Sequence, residues 1–247
     1  MRLRSEAYGS IYEKEEGHWW FRTRRAVLRE MLREAELPSS ARVLDVGCGT
    51  GGNLRFLASY GEAEGCDCAE EALEYCARRG FHQTKLADAC RLPYGECAFD
   101  LVTCLDVLEH VRLDALAFSE LARVARPGGY VLVTLPAGPR LYSSFDCLCG
   151  HLRRYSPAQV RTLAGAAGVE VVRMTRYTAL AHPVTLFHLR RGDFIRGKGR
   201  FRHQMETVLP GANALLSWLG AAEARLLRRW DLRWGSSLAA LFRKPSP

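Results

Sequence analysis

The chain has 247 residues, of which 48% are hydrophobic and 25% charged, a composition typical of a globular domain with a sizeable core. No apolar run reaches the roughly 20 residues that a membrane-spanning helix needs. The N-terminus is rich in carboxylates and lacks the apolar stretch of a signal peptide. These features argue against an integral membrane protein and a secreted protein, and they predict a cytoplasmic location.

The formal net charge of +8 is unevenly distributed. Residues 186–247 contain 12 Lys and Arg against 4 Asp and Glu, whereas the two signs balance over residues 1–185. A positive field in the last quarter would attract an anionic substrate, a phospholipid surface or nucleic acid. It is equally compatible with a solvated basic face.

Strand and helix patterns alternate along most of the chain. An amphipathic helix is predicted over residues 18–35, and the first strand, Val43–Val46, ends in glycines. Further strands are predicted at 62–67, 83–87, 99–104, 129–135, 169–174 and 236–242, and further helices at 52–60, 69–79, 113–125, 157–166 and 211–230. Pro127-Gly128-Gly129 predicts a break before the fifth strand. This alternation predicts an α/β fold with a doubly wound, seven-stranded sheet and helices on both faces, which binds ligands at the carboxyl ends of its strands.

The pattern divides one domain, residues 1–247, into four parts. Residues 1–40 form an N-terminal helical cap, and 41–177 form the ligand-binding core. Residues 178–235 form an insertion of about fifty residues, far longer than the usual connection of roughly 2–6 residues, and 236–247 form the closing strand and tail. Long insertions beside a ligand-binding edge often form lids or substrate walls.

The segment from Val43 to Gly52 carries the sharpest motif. Gly47, Gly49 and Gly52 satisfy G-x-G-x-x-G, and Asp67 lies twenty residues after Gly47, where a ribose-binding acid is expected. This segment alone leaves a nicotinamide or flavin enzyme open. Asp45, however, precedes the first glycine by two residues, and a carboxylate there suits a cationic amino-acid group and opposes a pyrophosphate.

Further motifs follow in a fixed order. Asp88 ends the third strand, Phe99-Asp100-Leu101-Val102 leads to Leu108-Glu109-His110-Val111, and Pro127-Gly128-Gly129 comes after the next helix. In this order and spacing the chain resembles the class I S-adenosylmethionine-dependent methyltransferases over roughly residues 18–175. The resemblance implies a Rossmann-like fold, S-adenosyl-L-methionine as cofactor and methyl transfer as the reaction.

The resemblance also implies roles for individual residues. Gly47, Gly49 and Gly51 would wrap the methionine part of the cofactor, Asp67 would accept the ribose hydroxyls and Asp88 the adenine amino group. Ubiquinone-pathway O-methyltransferases with a similar aromatic helix imply an arginine for the cofactor carboxylate, with Arg25 the best match by spacing and Arg22 in reserve. Further predicted cofactor contacts are Trp20, Asp45, Cys68, Ala89 and Leu105.

The acceptor is less defined. Segments 18–21, 150–156 and 231–238 resemble a bacterial subgroup of these enzymes that acts on small, lipid-linked or sugar-linked metabolites. Methyl transfer is an in-line displacement that needs a base only if the acceptor loses a proton. His151, His110 and Tyr155 are the predicted catalytic residues, although His110 is also compatible with bracing the following loop. Predicted contacts to an anionic or amphiphilic acceptor are Arg153, Arg154, Arg190 and Arg191.

Two further segments bear on whether the chain binds a metal ion or nucleic acid. Cys147, Cys149 and His151 have C-x-C-x-H spacing but no fourth ligand nearby, so no metal is predicted. Leu105-Asp106-Val107-Leu108 stands where base-modifying methyltransferases carry an N-P-P-Y-type tetrapeptide, so no nucleic-acid partner is predicted. Peripheral membrane contact is compatible with the basic last quarter, and a monomer or a homodimer is expected. The alternatives to a small-molecule methyltransferase are a nicotinamide-dependent oxidoreductase and a nucleic-acid methyltransferase.

Overall fold

The computed structural model describes residues 5–183 and 210–246. Its centre is one seven-stranded sheet in the order β3-β2-β1-β4-β5-β7-β6. The strands are β1 Arg42–Val46, β2 Glu62–Asp67, β3 Thr84–Leu86, β4 Phe99–Leu105, β5 Ala125–Pro136, β6 Glu170–Tyr177 and β7 Ser237–Arg243. The first five strands pair in parallel, whereas β7 lies antiparallel between β5 and β6. The predicted α/β fold and the seven strands are confirmed, and the sheet is mixed because β7 runs antiparallel to its neighbours.

Helices cover both faces of the sheet. The described helices are α1 Ser5–Lys14, α2 Trp19–Met31, α3 Leu54–Leu57, α4 Glu70–Arg78, α5 Asp114–Val124, α6 Ser144–Cys149, α7 Pro157–Ala166 and α8 Pro210–Leu226, with short 3₁₀ turns at Leu32–Glu34, Leu108–His110 and Pro139–Leu141. Successive β1 residues point to opposite faces, as the pleat requires. Leu44 therefore packs in a core with Phe118 of α5, and Val43 packs in a second core with Leu28 of α2.

Two elements differ from the sequence-based prediction. The expected break at Pro127-Gly128-Gly129 lies inside β5, because Gly128 and Gly129 exchange backbone hydrogen bonds with Lys244 just after β7. Helix α6 was missed because it is short, with six residues. A capping box between Ser143 and Asp146 starts it, and Gly150 in the left-handed conformation ends it.

The insertion between β6 and β7 is anchored by helix α8, and residues 184–209 of it lie outside the described residues. Glu223 of α8 is buried, and its carboxylate accepts hydrogen bonds from the backbone N–H groups of Thr178, Ala179 and Leu180. Asn213 at the other end accepts one from the backbone N–H of Trp19 over 2.8 Å. The insertion is thus fastened both to the end of β6 and to the start of α2. Among the described helices, none is long and apolar enough to cross a membrane.

Candidate active site

The glycine loop follows β1 at the carboxyl edge of the sheet. Gly47, Gly49 and Gly51 all have φ between +54° and +83°, a region that L side chains rarely adopt. A Cβ on Gly47 would collide with the side chain of Val107. A Cβ on Gly49 would have no described atom within 4 Å. The loop is therefore packed tightly at its start and open at Gly49, where a ligand can approach the backbone.

Asp67, the last residue of β2, holds this loop in place. Its two carboxylate oxygens accept the backbone N–H groups of Gly49 and Ala69, each over 3.0 Å. The side chain is largely buried, and burial raises the pKa of Asp67 despite these hydrogen bonds. The predicted ribose acceptor thus lies directly beside the predicted glycine loop, and it also has a structural role.

Asp45 in β1 is a buried acid beneath the loop. One carboxylate oxygen accepts the Thr103 hydroxyl over 2.6 Å. The other has no hydrogen-bond partner in the described part of the chain. Burial raises the pKa of Asp45 to about 7, and the hydrogen bond from Thr103 and the positive charge of Arg24 act in the opposite direction. This edge of the sheet therefore carries a buried carboxyl with one unpaired oxygen. We refer to the region bordered by the glycine loop, Asp45 and α2 as the cleft.

An arginine of α2 does enter the cleft, one residue before the predicted one. Arg24 is buried, donates to Asp106 over 2.6 Å and lies against the ring of Trp20, 4.7 Å from the centroid. Half-buried Arg25 instead donates to the backbone carbonyl of Glu16 over 3.1 Å. The structure thus brings Trp20 and Arg24 together beside Asp106, whereas Arg25 contacts the segment before α2.

Helix α1 closes the side of the glycine loop. Glu15, directly after α1, is buried, accepts the Thr50 hydroxyl and forms an ion pair with Arg79 over 2.7 Å. A Cβ on Gly52 would collide with Glu15, so this glycine is needed for the close approach. The third glycine of the motif therefore serves packing against the N-terminal segment.

The remaining predicted cofactor residues follow neighbouring strands. Asp88 is exposed just after β3 and accepts the backbone N–H of Cys90 over 2.8 Å. Ala89 follows it and is half-buried, whereas Cys68 is exposed directly after β2. Leu105 ends β4 and is buried. Asp88, Ala89 and Cys68 therefore border the carboxyl edge on the β2–β3 side of the loop, and Leu105 borders it on the β4 side.

The two predicted catalytic histidines meet on the other side, beyond β4. The rings of His110 and His151 lie 4.9 Å apart in an edge-to-face arrangement. His151 Nδ1 lies 2.9 Å from the buried carboxylate of Asp146, and His110 Nδ1 lies 3.1 Å from the Gly150 carbonyl. Burial and, to a smaller extent, the neighbouring His151 lower the pKa of His110 to about 4. His110 is therefore neutral at physiological pH.

The other predicted acceptor-side residues make structural contacts. Tyr155 is 1% exposed, and its hydroxyl contacts the Leu108 carbonyl and the Asp114 carboxylate over 3.1 and 2.8 Å. Arg154 is buried and donates to Asp146 over 2.9 Å, whereas half-exposed Arg153 pairs with Asp114 over 2.7 Å. Arg154 thus supports the histidine pair indirectly, through Asp146, and Tyr155 holds the turn that contains His110 through Leu108. Arg190 and Arg191 lie outside the described residues.

Comparisons with known proteins agree with this geometry. Residues 44–133, from β1 to β5, match the family described as a methyltransferase domain. The ubiquinone biosynthesis O-methyltransferase of Bordetella pertussis is 31% identical over 165 residues, which cover 55% of this chain and 65% of that one. The tRNA (carboxymethyluridine(34)-5-O)-methyltransferase of Arabidopsis thaliana is 37% identical over 102 residues, 40% of this chain and 25% of that one.

The methyltransferase domain and the O-methyltransferase relatives support a class I S-adenosylmethionine-dependent methyltransferase. Among solved structures, phosphoethanolamine N-methyltransferase 2 of Haemonchus contortus in complex with S-adenosyl-L-methionine shares the fold. Its TM-score is 0.56 at 20% identity, and the match covers 90% of this chain and 52% of that one. The chain spans less than two thirds of these two curated relatives, so its own activity and substrate are matters for proposal.

Sequence reasoning missed three residues of this methyltransferase site. Arg24 has two neighbouring arginines, Arg22 and Arg25, and spacing from the first strand does not distinguish them. Asp106 directly follows β4, has a φ of +58° and forms an ion pair with Arg24. Glu109 is completely buried beside the histidine pair. In the sequence, Glu109 stands out only as part of the Leu108-Glu109-His110-Val111 motif, which by itself indicates no function for its carboxylate.

Proposed function

We propose that this methyltransferase transfers the methyl group of S-adenosyl-L-methionine to an oxygen or nitrogen of a small metabolite. The observation that carries the cofactor assignment is the buried Asp45 carboxyl with its open oxygen, close to the buried guanidinium of Arg24. An acid at this position favours a cationic group and repels the pyrophosphate of a nicotinamide cofactor. A zwitterionic amino acid can satisfy both residues.

The residues present fit the cofactor part by part. Asp45 would hold the ammonium group, Arg24 the carboxylate and Asp67 the ribose hydroxyls. The open backbone at Gly49 leaves room for close approach, and Asp88 borders the position of the adenine. When bound, the cofactor supplies an electrophilic methyl group on a sulfonium, and the protein orients an acceptor in line with it.

The acceptor would enter from the side of the histidine pair and the insertion. Trp19 and Leu216 form a small apolar cluster with Ala181 at the start of the insertion, and Trp20 packs against this cluster. The insertion thus contacts the same aromatic helix that holds Arg24 over the cleft. Apolar side chains combined with the basic excess of residues 186–247 favour an anionic or amphiphilic acceptor, with Arg190 and Arg191 among its contacts.

The cofactor assignment is tested by calorimetry with S-adenosylmethionine, S-adenosylhomocysteine, NAD(H) and NADP(H). We expect heat from the first two ligands, with micromolar affinity, and none from the nicotinamides. Heat from a nicotinamide and none from S-adenosylhomocysteine would establish the oxidoreductase alternative.

The acceptor class is tested with radiolabelled S-adenosylmethionine. Transfer of label to phenolic or carboxylate-bearing small molecules or to amphiphilic lipids, but not to RNA, supports the proposal. The Arabidopsis relative acts on tRNA by its name, and the last quarter is basic, so transfer to RNA would favour the nucleic-acid alternative. Flotation with anionic liposomes at low and high salt tests whether the basic segment also contacts a membrane surface.

A further inference from the structure

Three side chains with metal-binding atoms converge beside the acceptor edge. Glu109, His110 and His151 place one ligand atom each within 4.8 Å of one another. His151 Nε2 lies 4.0 Å from a carboxylate oxygen of Glu109. Residues 109 and 151 are far apart in sequence and meet because the segments after β4 and β5 cross the same edge of the sheet.

Glu109 is the unusual member of this cluster. Its side chain is 1% exposed, and neither carboxylate oxygen has a hydrogen-bond partner among residues 5–183 and 210–246. A buried polar group without a partner costs roughly 1–3 kcal/mol, and more for a charged group. Buried carboxylates are accordingly paired, protonated or coordinated to a metal. His110 and His151 lie close enough to Glu109 to bind the same metal ion.

Both histidines have one nitrogen engaged and the other available. The Gly150 carbonyl can only accept, so His110 Nδ1 must carry the proton of that hydrogen bond. His151 Nδ1 is engaged in the same way by the Asp146 carboxylate, over 2.9 Å. With Nδ1 engaged in each ring, Nε2 is the atom left to bind a ligand. A carboxylate or carbonyl on the second ring nitrogen is the usual support of a metal-bound histidine.

We propose that Glu109, His110 and His151 bind a divalent transition-metal ion. Two imidazole nitrogens and one carboxylate oxygen suit ions such as Zn²⁺, Co²⁺, Mn²⁺ and Fe²⁺ and leave coordination positions open. The sequence predicts no such site, because its only metal-like motif includes Cys147 and Cys149. An acceptor oxygen would occupy an open position and be acidified there. That use rests on the proposed function, whereas ion binding does not.

The test uses the full chain after dialysis against a chelator. Titration with Co²⁺ followed by absorption spectroscopy, and with Zn²⁺ by calorimetry, should show one ion per chain. Glu109→Gln and His151→Gln should each weaken the affinity by at least about 100-fold, and Asp146→Asn, which removes a supporting contact, by about 10–100-fold. His82→Gln is the matched control, since His82 is exposed and outside the cluster, and it should bind like the native chain.

A second control addresses the thiols. Cys147→Ser/Cys149→Ser should keep the Co²⁺ spectrum and the affinity if the ligands are those proposed. The proposal is wrong if the native chain and Glu109→Gln bind the ions equally, or if binding is lost only in the cysteine variant. Affinity for S-adenosylhomocysteine and circular dichroism show whether each variant is folded. Ion binding without binding of S-adenosylhomocysteine would contradict the proposed function and leave the metal site standing.

Discussion

Arg24 of α2 donates to the carboxylate of Asp106, directly after β4, over 2.6 Å, and both side chains are largely buried. The pair joins the N-terminal helix to the carboxyl edge of the sheet across 82 residues of sequence. Asn53 also accepts from Arg24, over 3.4 Å. A charge contact therefore joins the helical cap to the core beside the glycine loop.

Removing one partner should show how much this contact contributes. Arg24→Met leaves Asp106 without its partner and should lower the free energy of unfolding by about 3 kcal/mol, measured by urea denaturation. Arg24→Met/Asp106→Asn should lose less than the sum of the two single variants. Arg24→Met should also weaken binding of S-adenosylhomocysteine by about 10–100-fold, since a charge-assisted hydrogen bond is lost. Arg25→Met is the control and should change neither the free energy of unfolding nor the affinity for S-adenosylhomocysteine. A larger loss of affinity in Arg25→Met than in Arg24→Met would favour Arg25 as the contact for the cofactor carboxylate.

Asp67 should affect both binding and stability. Asp67→Ala removes the acceptor for the ribose hydroxyls and should weaken binding of S-adenosylhomocysteine on the order of 100-fold. The sequence alone suggests no loss of stability. The structure changes this expectation, because Gly49 and Ala69 donate to Asp67, and the ligand-free variant should lose about 1–3 kcal/mol. Glu74→Ala, an exposed acid on α4, should change neither quantity. Unchanged affinity in Asp67→Ala would contradict the placement of the ribose.

Asp45 should make stability depend on pH. Its pKa is raised to about 7 in the folded protein, from 3.8 for an ordinary Asp, so the folded state holds a proton that the unfolded state has released. The stabilising effect is fully present below the unfolded pKa and is lost as the pH rises through about 7. At about 1.4 kcal/mol per unit, the loss is on the order of 4 kcal/mol. Relative to Asp45→Asn, the native chain should become less stable between pH 4 and 8, and parallel profiles would show that Asp45 does not titrate there.

Much of the fold could be predicted because its signals are local. Glycines and polar residues bound the strands, and the predicted β2, β4 and α7 agree with the structure to within one residue. The direction of β7 could not be predicted, because a strand pattern does not specify its partner. Strand β5 was cut short since Pro127-Gly128-Gly129 ordinarily ends an element.

The candidate site, like the fold, could be predicted only in part from the sequence. Asp45, Gly49 and Asp67 follow strands that meet at one edge, so their proximity could be inferred from topology. Arg24 could not be chosen over Arg25, because neighbouring helical residues point about 100° apart and the orientation of α2 depends on tertiary packing. The His110–His151 contact likewise depends on how two loops cross. Its supporting acid, Asp146, belongs to a helix that sequence reasoning missed.

Tyr155 should behave as a structural residue rather than as a catalytic base. Its hydroxyl contacts Leu108 and Asp114 in the interior, and burial raises its pKa, so it does not ionise at physiological pH. Tyr155→Phe should lower the free energy of unfolding by about 1–2 kcal/mol and keep the affinity for S-adenosylhomocysteine. Tyr142→Phe, on an exposed tyrosine nearby, is the control. Full stability in Tyr155→Phe would show that the buried hydroxyl contacts contribute nothing and reopen a catalytic role.

Glu223 should control the attachment of the insertion. Its two carboxylate oxygens accept hydrogen bonds from three backbone N–H groups at the end of β6. A glutamine side chain keeps only one of these oxygens, and its NH₂ group would face backbone N–H groups, which are also donors. Glu223→Gln should therefore lower the free energy of unfolding by about 2–3 kcal/mol. Amide hydrogen exchange should become faster in α8 while β1 and β4 keep their protection, since the anchor is local. Glu170→Gln, on an exposed glutamate at the start of β6, should leave exchange in α8 unchanged. If α8 exchanges at the native rate in Glu223→Gln, the helix is held by its packing against α2 alone.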